Sequence, residues 1–167
     1  MTEDTLMIAH LTARSSFIPA IAEAQFAFWG ALTGYQSRTE YEQFLQKAAT
    51  SLELPRVLIA TRGPTLAGSV NLLEREMTIR PNLSPWLSQL FVVSNERNRR
   101  VGTALVEAAL SEAAKLGHSR LHLFTSDTLP RYYASLGWRT LETVEYIGKL
   151  RTIMMFDVAG RQDRAQP

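Results

Sequence analysis

The stretch Leu87–Leu110, LSQLFVVSNERNRRVGTALVEAAL, decides how this chain folds. It opens as an apolar run, crosses a polar turn and closes with apolar residues at helical spacing. Trp86–Val93 reads as a buried strand. Val101, Ala104, Leu105 and Ala108 mark one face of a helix over Arg100–Gly117, with Gly117 as its stop. Between them, ERNRR puts three of the chain's eighteen Lys and Arg within four residues. The first N–H groups of a helix have no partner inside it, and that end carries partial positive charge. A strand-to-helix turn that aims such groups at one point, with arginines around it, suits a phosphate. Gly102 lets a ligand approach the main chain, and a merely solvated charged turn is the ordinary alternative.

Working outward, Leu6–Thr12 reads as a first strand and Ser15–Leu32 as a helix whose apolar face is Phe17, Ile21, Ala24 and Phe28. Ser37 and Glu40 have capping-box spacing at the start of a second helix with the face Tyr41, Phe44, Leu45, Ala48. Pro55–Thr61 and Leu66–Glu74 form a hairpin around RGPT, and Arg75–Pro85 is a loop. After the central helix come a strand at Ser119–Ser126, a short helix at Leu129–Gly137, and a closing pair, Trp138–Tyr146 and Leu150–Val158. The order β-α-α-β-β-β-α-β-α-β-β predicts an α+β fold: a mixed, mostly antiparallel central sheet with helices on both faces, holding one parallel crossover. One domain is expected over 1–158, followed by a polar tail, 159–167.

The chain has 167 residues, 46% apolar and 20% charged, which suits one folded domain. It has no cysteine, which excludes disulfides, thiolate metal sites and a cysteine nucleophile. No apolar run is long enough to cross a membrane, and the start lacks a signal core, so a cytoplasmic protein is expected. The net charge is only +2 and no basic stripe accompanies RNRR, so nucleic acid is not expected as a partner. His10, His118 and His122 lack metal-ligand spacing, and no metal is expected.

No Walker or dinucleotide glycine pattern is present. What remains resembles the coenzyme A loop of the GCN5-related N-acetyltransferases, [Q/R]-x-x-G-x-[G/A] between a strand and a long helix. RNRRVG gives Arg97 at the first position and Gly102 at the last, and LFVVSNER is similar to the preceding L-Y-V-x-P-x-x-R. Arg100 stands where the signature has its first glycine. An arginine resists positive φ, so negative φ is expected there. Downstream, YYASLGW (Tyr132–Trp138) resembles [F/L]-Y-x-x-L-G-[F/W]. The resemblance spans roughly Leu66 to Phe156.

The resemblance implies transfer of the acetyl group of acetyl-CoA to an amine of a small molecule or peptide. It implies that Arg97, Asn98, Arg99, Arg100, Val101, Gly102 and Thr103 hold the pyrophosphate. The main chain of Leu90, Phe91 and Val92 would pair with the pantetheine arm, and Val92 N–H would polarise the thioester carbonyl. Tyr133 falls where the family places a tyrosine beside the sulfur, to protonate the departing thiolate. Ser126 falls where the family often has an asparagine on the coenzyme arm; capping of the short helix by Asp127 or Thr128 is the alternative. The family's usual glutamate corresponds to Trp86, which cannot be a base, and Glu74 and Glu76 are the substitutes. A non-catalytic acyl-CoA-binding sensory or interaction module is the competing function. A homodimer stays open, since dimers are common in the family.

Overall fold

The computed structural model describes residues 5–159. The polar tail expected from 159 onward lies outside the described residues beyond Ala159. The elements are β1 (Leu6–His10), α1 (Ile18–Thr33), α2 (Arg38–Ala49), β2 (Arg56–Arg62), β3 (Thr65–Leu73), β4 (Trp86–Val92), α3 (Val101–Lys115), β5 (Arg120–Thr125), α4 (Leu129–Ser135), β6 (Arg139–Tyr146) and β7 (Lys149–Asp157). This is the order read from the sequence. The strands form one mixed sheet, hydrogen-bonded in the order β1-β2-β3-β4-β5-β7-β6. β4 and β5 are parallel, with the register Trp86↔His122, while β1–β2, β2–β3, β5–β7 and β6–β7 are antiparallel.

Internal contacts group the chain into two compact units. The first carries β1, α1, α2, β2 and β3 to Leu72, and then Gln89–Ala109. Its core joins Ile18, Ile21 and Ala22 of α1 to Tyr41, Leu45 and Ala48 of α2 and to Val57, Ile59 and Leu66 of the hairpin. Burying each of the larger aliphatic side chains contributes about 1.5–3 kcal/mol. The capping box holds: Ser37 Oγ accepts from Glu40 N at 3.1 Å, and Glu40 Oε2 accepts from Gln36 N at 2.7 Å.

The buried face of α1 differs from the one expected. Phe28 is 69% exposed, and the inward stripe runs Ile18, Ile21, Ala22, Gln25. A glutamine completes that stripe, so apolar periodicity alone aims the helix about one position off.

The second unit carries Leu73–Ser88 and the described chain from Leu110 onward. Its core includes Trp86, Leu121, Leu123, Ile153, Met154 and Met155. Trp86 is fully buried; its indole Nε1 donates to Leu83 O at 2.7 Å, and its ring packs on His122 and Phe124. His122 is largely buried and its imidazole pKa is lowered, chiefly by burial, which keeps it neutral with Nδ1 bonded to Pro85 O at 3.1 Å. It is a packing residue.

Candidate active site

In the first unit, the turn between β4 and α3 is a 3₁₀ turn at Ser94–Glu96 followed by Arg97–Arg100. Asn98 and Arg100 both take positive φ, 63° and 67°. The expectation of negative φ at Arg100 is therefore wrong. The path of the turn dictates a left-handed residue where the family signature has glycine, and arginine adopts it at a cost of roughly 1–2 kcal/mol. Ala104 N donates to Arg100 O at 3.0 Å, so the helical ladder begins on Arg100, and the amides of Val101, Gly102 and Thr103 precede it.

The three arginines have different fates. Arg99 Nη1 donates to Glu96 Oε1 at 2.9 Å. Arg62 Nε donates to both oxygens of the same carboxylate, at 2.8 and 2.9 Å. Glu96 is only 5% exposed, so it is a buried anchor held by two guanidinium groups. Arg99 fastens the turn; Arg97 and Arg100 are exposed.

Upstream, Val93 N donates to Ala67 O at 2.8 Å. Backbone groups alternate along a strand, so the N–H and C=O of Val92 point to the edge facing away from β3. Gly68 allows this approach of β3 and β4: a Cβ there would lie 2.5 Å from Phe91 O and 3.3 Å from Val92 Cα. Gln89 has φ 52°, a left-handed residue inside β4.

That left-handed residue is held by a buried polar network which sequence reasoning missed. Gln25 Nε2 donates to Gln89 O at 2.9 Å and lies 3.1 Å from both Ser69 Oγ and Asn71 Oδ1. Tyr41 OH donates to Gln25 Oε1 at 2.7 Å, and Asn71 Nδ2 donates to Gln89 Oε1 at 2.6 Å. Gln25, Ser69, Asn71 and Gln89 are all buried. The available signal was polar residues at positions whose period faces inward: Gln25 four residues after Ile21, and Ser69 and Asn71 inside the run LAGSVNLL.

In the second unit, Glu74 and Glu76 separate. Glu74 is exposed just past β3. Glu76 is partly buried, and burial pushes its carboxyl up to about 7, opposed by a hydrogen bond from Ser88. Its loop is fastened to β6: Met77 is buried, Thr78 N donates to Tyr146 OH at 3.3 Å, and Arg80 bonds Glu142.

Tyr133, on α4, is 7% exposed, edge-on to Trp138 and to Tyr132. Burial holds its phenol well above the ordinary range, with Tyr132 adding to the shift. Ser126 Oγ donates to Asp127 Oδ2 at 3.4 Å. Asp127 has φ 61° and accepts from Lys149 Nζ at 2.7 Å; Thr128 makes no side-chain cap, so neither residue caps α4. Among the described residues no cluster of three His, Asp or Glu is placed to hold a metal. Among the described residues no helix is long and apolar enough to cross a membrane.

A family model described as an acetyltransferase (GNAT) domain matches residues 20–141. The chain belongs to the GNAT acetyltransferase family. Solved structures share the fold at low identity. An aminoglycoside 6'-N-acetyltransferase complexed with coenzyme A aligns at TM-score 0.70 and 16% identity, over 91% of this chain and 97% of that one. A spermidine/spermine N-acetyltransferase from Vibrio cholerae gives 0.71 and 14%, over 97% and 100%. A GNAT-family acetyltransferase from Streptococcus pneumoniae gives 0.64 and 21%, over 92% and 99%. No curated protein sequence matches. This GNAT chain thus pairs the family's fold with an arginine at the left-handed turn position and with a buried amide network beneath β4.

Proposed function

We propose that this GNAT acetyltransferase is an acetyl-CoA-dependent N-acetyltransferase acting on an amine of a small molecule or peptide. The observation that carries the reading is the turn before α3: first-turn amides follow a left-handed Arg100, with Arg97 and Arg100 exposed beside them. Such a donor set fits a diphosphate. Residues 97–103 would hold that group, with Arg99 acting through Glu96 rather than as a phosphate ligand. The main chain of Leu90–Val92 would pair with the pantetheine arm, and Ser126 is a further contact assigned to it.

When bound, acetyl-CoA supplies an activated acyl carbon and a thiol leaving group. The chain's residues supply the proton handling. Glu76, with its pKa near 7, is matched to remove a proton from an incoming ammonium at neutral pH. Exposed Glu74 lacks an enclosing environment, and Glu76 is the base we assign. Tyr133 stays a protonated phenol across the working range and is suited to donate its proton to the departing sulfur. Val92 N–H, on the edge away from β3, would stabilise the charge that develops on the acyl oxygen.

Two relatives in fold are N-acetyltransferases of aminoglycosides and of spermidine/spermine, which supports a polyamine-like or aminosugar acceptor as the first compounds to try. The test is thiol release from acetyl-CoA across a panel of aminoglycosides, polyamines and peptides. Release that depends on an added amine supports the reading. Tight CoA binding with no turnover on any amine would favour a non-catalytic acyl-CoA-binding module. A cytoplasmic location and a homodimer are part of the same proposal, testable by fractionation and by sedimentation.

A further inference from the structure

The peptide between Gln89 and Leu90 is held by a side chain from outside the sheet. Gln89 takes left-handed φ within β4, and its carbonyl accepts from Gln25 Nε2 on α1 at 2.9 Å. In a trans peptide the C=O and the following N–H point in opposite directions. A clamp on Gln89 O therefore fixes Leu90 N–H, pointing away from Gln25. One pleat on, it also sets the direction of Val92 N–H. The clamp is itself oriented: Gln25 Oε1 accepts from Tyr41 OH at 2.7 Å, and the Gln89 side-chain oxygen accepts from Asn71 Nδ2 at 2.6 Å. All of these groups are neutral and buried, so each bond is costly to break and the geometry is stiff.

We propose that Gln25 is a positioning residue for acyl transfer, which sets the Leu90–Val92 amides by clamping the Gln89–Leu90 peptide. The inference rests on the coenzyme-binding reading of β4. It goes beyond that reading by assigning a role to a helix residue that is fully buried and acts through the Gln89 carbonyl. The network would then be more than packing: a buried leucine at position 25 would fill the space and leave the Gln89 carbonyl without this donor.

The test compares wild type, Gln25→Met and Tyr41→Phe by amide NMR with CoA and with acetyl-CoA, and by thiol release. Gln25→Met keeps the shape and removes the donor. Tyr41→Phe removes one bond to Gln25 but keeps the clamp on Gln89 O. In wild type, the Leu90 or Val92 amide resonance is expected to differ between the two ligands. In Gln25→Met both ligands still bind within about threefold, the difference is lost, and kcat falls roughly 10- to 100-fold with little change in KM. Tyr41→Phe lowers the melting temperature and keeps both the resonance difference and kcat. If Gln25→Met does not fold, Gln25→Leu serves instead: it has no polar group to donate to Gln89 O, and the same loss is expected. Retention of the resonance difference and of kcat in the donor-less variant overturns the positioning role alone. Wild type that binds neither ligand overturns the coenzyme reading, and this inference with it.

Discussion

Ser88, on β4, donates a hydrogen bond to the carboxyl of Glu76 on the preceding loop, and this bond opposes what burial does to the same acid. Burial wins. The carboxyl moves from 4.5 to about 7, which makes it half ionised at neutral pH. With Glu76 as the base, kcat/KM should rise with pH through about 7. Glu76→Gln should lose that limb and roughly 100-fold or more in rate. A pH–rate profile of both proteins checks this, and an unchanged limb in the variant removes Glu76 from the role. Ser88→Ala should move the limb to higher pH, since it removes the contact that favours the carboxylate.

The same shift has a stability consequence. A carboxyl with a raised folded-state pKa holds its proton more tightly when folded, so its contribution is fully present below about 4.5 and is lost as pH rises through about 7. At pH 8, Glu76→Gln should therefore be more stable than wild type by up to about 3 kcal/mol, from 1.36 kcal/mol per pKa unit. At pH 4 the two should match. Urea denaturation at both pH values tests the sign, and a variant less stable at pH 8 contradicts it.

How much of this was legible in the sequence depended on which physical signal each feature leaves. Every strand and helix was visible because apolar periodicity and Gly or Pro punctuation mark them. The turn from Arg97 to Thr103 and the residue Tyr133 were visible as motifs. The inward face of α1 was not, because Gln25 completes a stripe that hydrophobicity would end at Ala22. The φ of Arg100 was misjudged because residue preference was set against a turn whose path leaves no choice. Glu76 and Glu74 looked alike two residues apart; only burial distinguishes them.

Arg100→Gly separates backbone strain from charge. Glycine removes the left-handed penalty of an L-residue, offset in part by its greater freedom when unfolded. The variant should be as stable as wild type or more so, by up to about 1 kcal/mol. Its CoA affinity should fall several-fold through the lost cation, and this loss should shrink in high salt. Thermal melts and calorimetry in low and high salt give both numbers. A clear loss of stability would contradict the strained-turn description.

Glu96→Ala leaves Arg62 with no carboxylate at 2.8 Å and unties Arg99 from the turn. Breaking such a buried pair costs about 3–5 kcal/mol. The expected outcome is a sharply lower melting temperature and weakened CoA binding, although Glu96 itself would touch no phosphate. A melt within a degree or two of wild type would show that the anchor is dispensable.

Tyr133→Phe keeps the ring edge-on to Trp138 and should leave stability within about 0.5 kcal/mol. Thiol release should slow roughly 100-fold in kcat with little change in KM. Because the phenol is held above its usual range, wild-type activity should show no fall attributable to this group up to about pH 10.

Calorimetric titration of the wild-type protein with CoA and with pantetheine, which lacks the diphosphate and the 3'-phosphoadenosine joined to it, tests the grip of the turn between β4 and α3. CoA is expected to bind at least about 100-fold more tightly, consistent with several charge-assisted bonds at a helix N-terminus. Equal affinities for the two, or no binding of CoA, would mean that residues 97–103 do not hold a diphosphate.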